Sequence, residues 1–162
     1  MLTQLTIKNY ALIDELQVGF NNGLTIITGE TGAGKSILLG GLSLILGKRA
    51  DLTSVKDASK KCVIEGVFDI AKYNLKTLFK TRDLDYESLT IIRREILPSG
   101  KSRAFINDTP VRLDDLQVLG EHLLDIHSQH QTLQLTNDDF QFQIIDALAG
   151  NDKNLSVYIF VG

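Results

Sequence analysis

One cysteine, two prolines, one methionine and no tryptophan stand in this chain of 162 residues. A single thiol cannot form an intrachain disulfide, which excludes a disulfide-stapled scaffold and points to a reducing, cytoplasmic setting. So little proline excludes collagen-like sequence and proline-rich linkers. No apolar run approaches the roughly 18 to 20 residues of a membrane-spanning helix, and Met1-Leu2-Thr3-Gln4 lacks the charged-then-hydrophobic order of an export signal. No membrane partner is therefore expected. Basic residues do not predominate either: 17 Lys and Arg against 20 Asp and Glu leave a net charge of -3, without general attraction for phosphate backbones or anionic lipid. Any contact with nucleic acid must come from a local patch or from protein outside this chain. What remains is ordinary globular composition, 43% apolar and 23% charged, at a length that suits about one domain.

Leu2, Leu5 and Ile7 alternate with polar residues, and Leu12-Ile13 and Leu16 to Phe20 follow, a period-two pattern of half-buried strands. Asn21-Asn22-Gly23 marks a turn. The continuous run Leu24-Thr25-Ile26-Ile27-Thr28 predicts a strand covered on both faces, as in a parallel sheet. Ile37, Leu38, Leu39, Leu42, Leu44, Ile45 and Leu46 then predict a helix stopped by Gly47. Residues 48–61 read as a loop, 62–70 as a strand, and Leu75, Leu78 and Phe79 as a short helix. Residues 88–96 and 102–106 form a hairpin around Leu97-Pro98-Ser99-Gly100, followed by a turn at Asn107-Asp108. Leu113, Leu116, Leu119, Leu123 and Leu124 share a helical face, Leu124 to His127 enters a further strand, and Phe140 to Leu148 is helical. A buried strand-loop-helix unit beside amphipathic antiparallel strands predicts an α/β core carrying a β subdomain.

Gly29-Glu30-Thr31-Gly32-Ala33-Gly34-Lys35-Ser36 satisfies G-x-x-x-x-G-K-[ST], after the predicted buried strand and before the predicted helix. Glycine at 29, 32 and 34 lets consecutive backbone N–H groups turn inward around phosphate oxygens at the positive end of a helix. Lys35 suits the β- and γ-phosphates, and Ser36 offers a hydroxyl to Mg²⁺. Residues Gly29 to Ile37 are thus the candidate ATP-binding segment.

Four separated stretches, Leu5 to Ile13, Gly29 to Ser36, Leu46 to Asp51 and Leu124 to Gln131, together resemble the amino-terminal head segment of the RecN family of bacterial DNA repair ATPases. The resemblance covers about residues 1–150. It implies an SMC-like, ABC-type P-loop head with a buried parallel-sheet core and an antiparallel β subdomain. It further implies that a carboxy-terminal half completes the head, that two heads sandwich two ATP molecules, and that DNA is engaged by the full-length, nucleoid-associated protein. Gln129, in Ile126-His127-Ser128-Gln129-His130, matches the Q-loop residue that contacts Mg²⁺ and helps place the attacking water. Ser128 stands where many relatives have Gly. Arg49 matches the arginine placed near the nucleotide phosphates, and Lys8 and Asn9 approach the nucleotide from the β subdomain. By the same resemblance Lys35 and Gln129 are the catalytic candidates, and Ser36 and Gln129 the candidate Mg²⁺ ligands.

The family's signature loop, Walker B Asp, catalytic Glu and switch His are not recognisable, nor is a heptad-bearing coil. Residues 151–162 read as a divergent tail, and the chain as an amino-terminal segment that binds ATP without turning it over alone. Other readings stay open. Asp125 or Asp146 could end a Walker B strand in a small self-contained phosphotransferase, although no guanine-reading N-K-x-D segment is present. A non-catalytic interaction module could retain the loop. His122, His127 and His130 have a spacing open to zinc but no Cys beside them, and Cys62 reads as a small buried hydrophobe. Arg93, Arg94, Lys101 and Arg103 fall on the hairpin, where some would share one exposed face, either solvated or against phosphate backbone.

Overall fold

Alternation of apolar and polar side chains builds a sheet with one face for the core. The computed structural model describes residues 1–28 and 32–126. Strands β1 (Leu2–Tyr10), β2 (Ile13–Gly19), β3 (Cys62–Asp69), β4 (Leu89–Ile96), β5 (Ser102–Ile106) and β6 (Thr109–Val111) form a six-stranded sheet in the order β2-β1-β3-β4-β5-β6. Every ladder among the described residues is antiparallel.

The register aligns the core residues into rows. One runs Leu5, Gly66, Ile92 and Ile106; its neighbour runs Ile7, Ile64, Arg94 and Ala104. Helices α1 (Gly32–Ile45) and α3 (Leu113–Leu123) bring Leu44, Ile45, Leu116 and Leu119 into the same buried cluster, and α2 (Lys76–Thr81) adds Phe79. Burial of Phe68, Ile7, Ile64 and Ile92, each at most 1% exposed, supplies the apolar area that holds these layers together. Residues Met1–Asp125 make up one compact unit.

The helix α1 packs unusually close to the sheet. A Cβ at Gly40 would lie 2.7 Å from the Tyr10 hydroxyl, and one at Gly41 would lie 3.1 Å from Ile7 Cδ1. The two small residues therefore let the helix settle on β1 and β3. Its end is a Schellman turn: Gly47 at φ +93° carries the reversal, with Lys48 N–H donating to Ser43 O at 3.0 Å and Gly47 N–H to Leu44 O at 3.2 Å.

The hairpin, the Gly47 stop and the three helices described here follow the pattern of the sequence. The run Leu24–Thr28 does not: it forms no strand, and Leu24, Ile26 and Ile27 are 90%, 75% and 54% exposed. A strand buried on both faces needs ladder partners on its two sides, and none of the described residues supplies one. Leu124 to Ile126 is likewise outside any ladder. Short β6 went unread because Thr109-Pro110-Val111 contains proline, which is tolerated at the sheet edge it occupies. The helix expected at Phe140 to Leu148 and the tail 151–162 lie outside the described residues.

Candidate functional site

The first turn of α1 carries the described part of the glycine-rich segment. Gly34, Lys35 and Ser36 are exposed there, and Ile37, one position on, is half-buried against the core cluster. No acidic residue lies in this turn, so no carboxylate there offsets the partial positive charge of a helix start. A Cβ at Gly34 would meet nothing within 4 Å. The chain's own packing does not require glycine at 34, and the space beside the turn is open. Gly32 and Ala33 are described as helix backbone, whereas Gly29, Glu30 and Thr31 lie outside the described residues, as does Gln129 with His127, Ser128, His130 and Asp146.

At the other end of α1, Gln117 Nε2–H donates to Gly47 O at 3.2 Å, tying the helix stop to α3. Four residues on, Asp51 Oδ1 accepts from Thr53 N–H at 2.9 Å. Arg49 lies exposed between these two anchors. Tyr10 is 7% exposed beneath α1; burial raises its hydroxyl above the usual range, a hydrogen bond with Ser54 opposes the rise, and the phenol stays neutral.

Lys8 and Asn9 are used by the β subdomain itself. Lys8 pairs with Glu15 across the β1–β2 ladder at 2.7 Å. Asn9, at φ +55°, donates from Nδ2 to Asp57 O at 2.9 Å and Lys60 O at 3.0 Å, and its Oδ1 accepts from Asp57 N–H at 2.8 Å. Both donors and one acceptor position of this amide pin the 57–60 loop.

The hairpin arginines also divide. Arg93 and Arg94 are adjacent on β4, so the pleat sends them to opposite faces. Arg93 lies 3.6 Å from both Glu65 and Glu95 and stacks over Phe105 at 4.8 Å, while Lys101 and Arg103 are exposed. Arg94 is 2% exposed, within the apolar row of the core face. These four residues do not make one basic surface. Sequence reasoning also missed Asn107, whose side chain accepts from Ile91 N–H at 2.9 Å and donates to Asp85 O at 2.9 Å; its Asn-Asp pair signalled the turn and nothing more.

His122 is exposed in the last turn of α3, and Cys62 is 1% exposed on β3. No group of three His, Cys, Asp or Glu that could hold a metal occurs among the described residues, and no helix there is long and apolar enough to cross a membrane.

This fold is that of the P-loop ATPase heads. The chain aligns over 91% of its length, at 17% identity and a TM-score of 0.62, with 98% of a solved SMC ATPase chain whose description concerns ATP-driven dimerization and DNA-stimulated activation. The AAA domain family model matches residues 4–158, and the chain belongs to that family. Within it, the chain matches the amino-terminal part of RecN proteins. It is 36% identical to the DNA repair protein RecN of Haemophilus influenzae over 159 residues, covering 96% of this chain and 28% of that protein. With the Bacillus subtilis RecN the identity is 39% over 152 residues, covering 93% of this chain and 26% of the relative. The chain therefore spans about a quarter of the length of these relatives. Membership of an ATPase family implies nucleotide binding.

Proposed function

We propose that this chain is the ATP-binding amino-terminal part of a RecN-like head that acts in DNA repair and is completed by a carboxy-terminal half. The observation that carries the reading is the open space beside Gly34 in the first turn of α1, where a G-x4-G-K-S sequence leads into a helix packed on a sheet.

The residues suit the ligand. Backbone N–H groups from Gly29 to Ile37 would cradle the phosphates, Lys35 would neutralise the β- and γ-phosphates, and Arg49 would add a guanidinium. Ser36 and Gln129 would hold Mg²⁺, which supplies Lewis-acid stabilisation of the phosphates when bound. On this reading a Cβ at Gly34 would intrude on the space a phosphate would take, which would account for glycine at a position the fold itself leaves unconstrained.

The exposed run Leu24 to Ile27 supports completion by another segment: apolar residues ahead of the loop suit burial beneath strands that the described residues lack. Phosphoryl transfer needs a positioned water and full charge stabilisation around the γ-phosphate, so this chain binds ATP and hydrolyses it only when complemented. Engagement of two such heads around ATP would then govern DNA binding by the whole protein, in the cytoplasm at the nucleoid.

Calorimetry with Mg·ATP on the 162-residue chain tests the binding. Lys35→Ala removes charge-assisted bonds worth roughly 1.5 to 3 kcal/mol, or about ten- to a hundredfold in affinity. Unchanged affinity in that variant would refute the phosphate-loop assignment. Phosphate release only after addition of a separately expressed carboxy-terminal head half is the expected second result; turnover by the chain alone would favour a self-contained enzyme.

A further inference from the structure

Arg94 occupies a position that its neighbours give to core residues. Its cross-strand row runs Ile7, Ile64, Arg94, Ala104 and Val111, and Ile92 and Ile96, before and after it on the same face of β4, are 0% and 2% exposed. Arg94 is itself 2% exposed, yet no carboxylate pairs with it among the described residues. Its one hydrogen bond runs from Nη2 to the Ser102 hydroxyl oxygen at 2.7 Å, and its Nε–H is buried with no acceptor. Burial pushes the guanidinium below its usual range but leaves it charged at any physiological pH. A lone buried cation is among the costliest groups a fold can carry, so its retention calls for a counter-charge.

That counter-charge has a way in. Strand β6 pairs only with Ala104, Phe105 and Ile106, leaving Ser102 and Arg103 of β5 beyond its end. Arg94 lines the groove of about 640 Å³ that opens there. Arg103 and Arg112, both exposed, also line it, and no Asp or Glu does among the described residues. Ala104, Pro110, Val111 and Leu113 give it apolar walls. Ser102, which accepts from Arg94, keeps its own hydroxyl hydrogen for an incoming acceptor.

We propose that this groove is a carboxylate-binding site in which Arg94 Nε–H and the Ser102 hydroxyl donate to the two carboxylate oxygens, with Arg103 and Arg112 attracting the anion at the mouth. One buried guanidinium neutralises one negative charge. Apolar walls suit the aliphatic stem of a carboxylic acid better than the second charge and extra oxygens of a phosphate, which would need further buried donors. The chemistry is that of an acidic side chain on a polypeptide or of a small organic acid. The site is separate from the α1 turn and does not depend on the nucleotide reading.

The test is the arginine Nε–Hε region of the ¹⁵N spectrum of the full chain, titrated with sodium acetate against sodium chloride at matched ionic strength. The resonance missing from Arg94→Met should shift saturably in the parent chain. At acetate ten times its Kd the parent's Tm should rise by about 3 to 6 °C, a response that Arg94→Met loses. Without ligand, Arg94→Met should melt above the parent, because the unpaired charge is gone. If that variant does not fold, Ser102→Ala serves in its place, with acetate affinity down about tenfold. A blocked glutamyl peptide binding more tightly than acetate assigns the carboxylate to a polypeptide, and equal binding assigns it to a small acid. Absence of a saturable acetate shift, retention of the Tm response in Arg94→Met, or a tighter response to inorganic phosphate would each overturn the proposal.

Discussion

Two glycines, one in the first turn of α1 and one just past its end, should respond in opposite ways to the same added methyl group. At Gly47 the backbone is left-handed, φ +93°, which costs alanine about 1 to 2 kcal/mol. The new Cβ would also lie 2.9 Å from Gln117 N and from Leu113 O, both backbone atoms, and 2.5 Å from Gln117 Cγ. Neither backbone atom can move without shifting the start of α3, so about 1 to 3 kcal/mol of overpacking is added. Gly47→Ala should therefore lose about 2 to 5 kcal/mol and melt about 5 to 15 °C lower in a chain of this size. At Gly34 the Cβ meets nothing within 4 Å and the residue is helical. Gly34→Ala should hold or gain up to about 0.5 to 1 kcal/mol from the reduced entropy of the unfolded chain, yet lose Mg·ATP binding. Thermal melts by circular dichroism and calorimetry on the same preparations provide both readouts. A Gly47→Ala melt within about 2 °C of the parent would refute the packing argument, whose cost scale is set by overpacking. Full ATP affinity in Gly34→Ala would refute the assignment of that open space to phosphate.

Burial raises the Cys62 thiol from 9.0 to about 11. Because the folded value lies above the unfolded one, the contribution of this thiol is fully present below about pH 9 and is lost as pH rises toward 11, by roughly 2 to 3 kcal/mol. Urea midpoints across that window should fall more for the parent than for Cys62→Ala, and native Cys62 should resist alkylation at pH 8 until denaturant is added. Parallel curves for the two proteins would refute it. Asn9→Ala deletes three hydrogen bonds to the 57–60 loop and strains a left-handed position, so stability should drop by about 2 to 4 kcal/mol. Asn9→Asp, which keeps the acceptor and loses the donors, should fall between the two in chemical denaturation; a loss in Asn9→Ala below about 1 kcal/mol would contradict the clamp.

Much of the local structure was legible because its signals are local. Alternation at Leu5 and Ile7, Pro98 and Gly100 in the hairpin turn, and Gly47 after an apolar helical face each reflect a preference that the backbone satisfies within a few residues. Leu24 to Thr28 was misread in its burial for the opposite reason. Five apolar or β-branched residues predict a covered strand, but coverage depends on what lies alongside, and no described residue does. The loop contacts of Asn9 and the burial of Arg94 were not legible for a related cause: a polar residue in an alternating strand shows its face only once cross-strand register and loop contacts are known.

By itself the sequence determined the antiparallel strands, the order of strand, glycine-rich segment and helix, and the residue types suited to phosphate. These follow from periodicity, glycine and proline geometry, and the chemistry of Lys35 and Ser36. Only the tertiary structure decided which side chains share a face or a row. It put Asn9 onto the 57–60 loop, separated Arg93 from Arg94, and left Arg94 alone in an apolar row beside an open groove. Register and packing join residues tens of positions apart, and no local preference of the chain encodes that meeting.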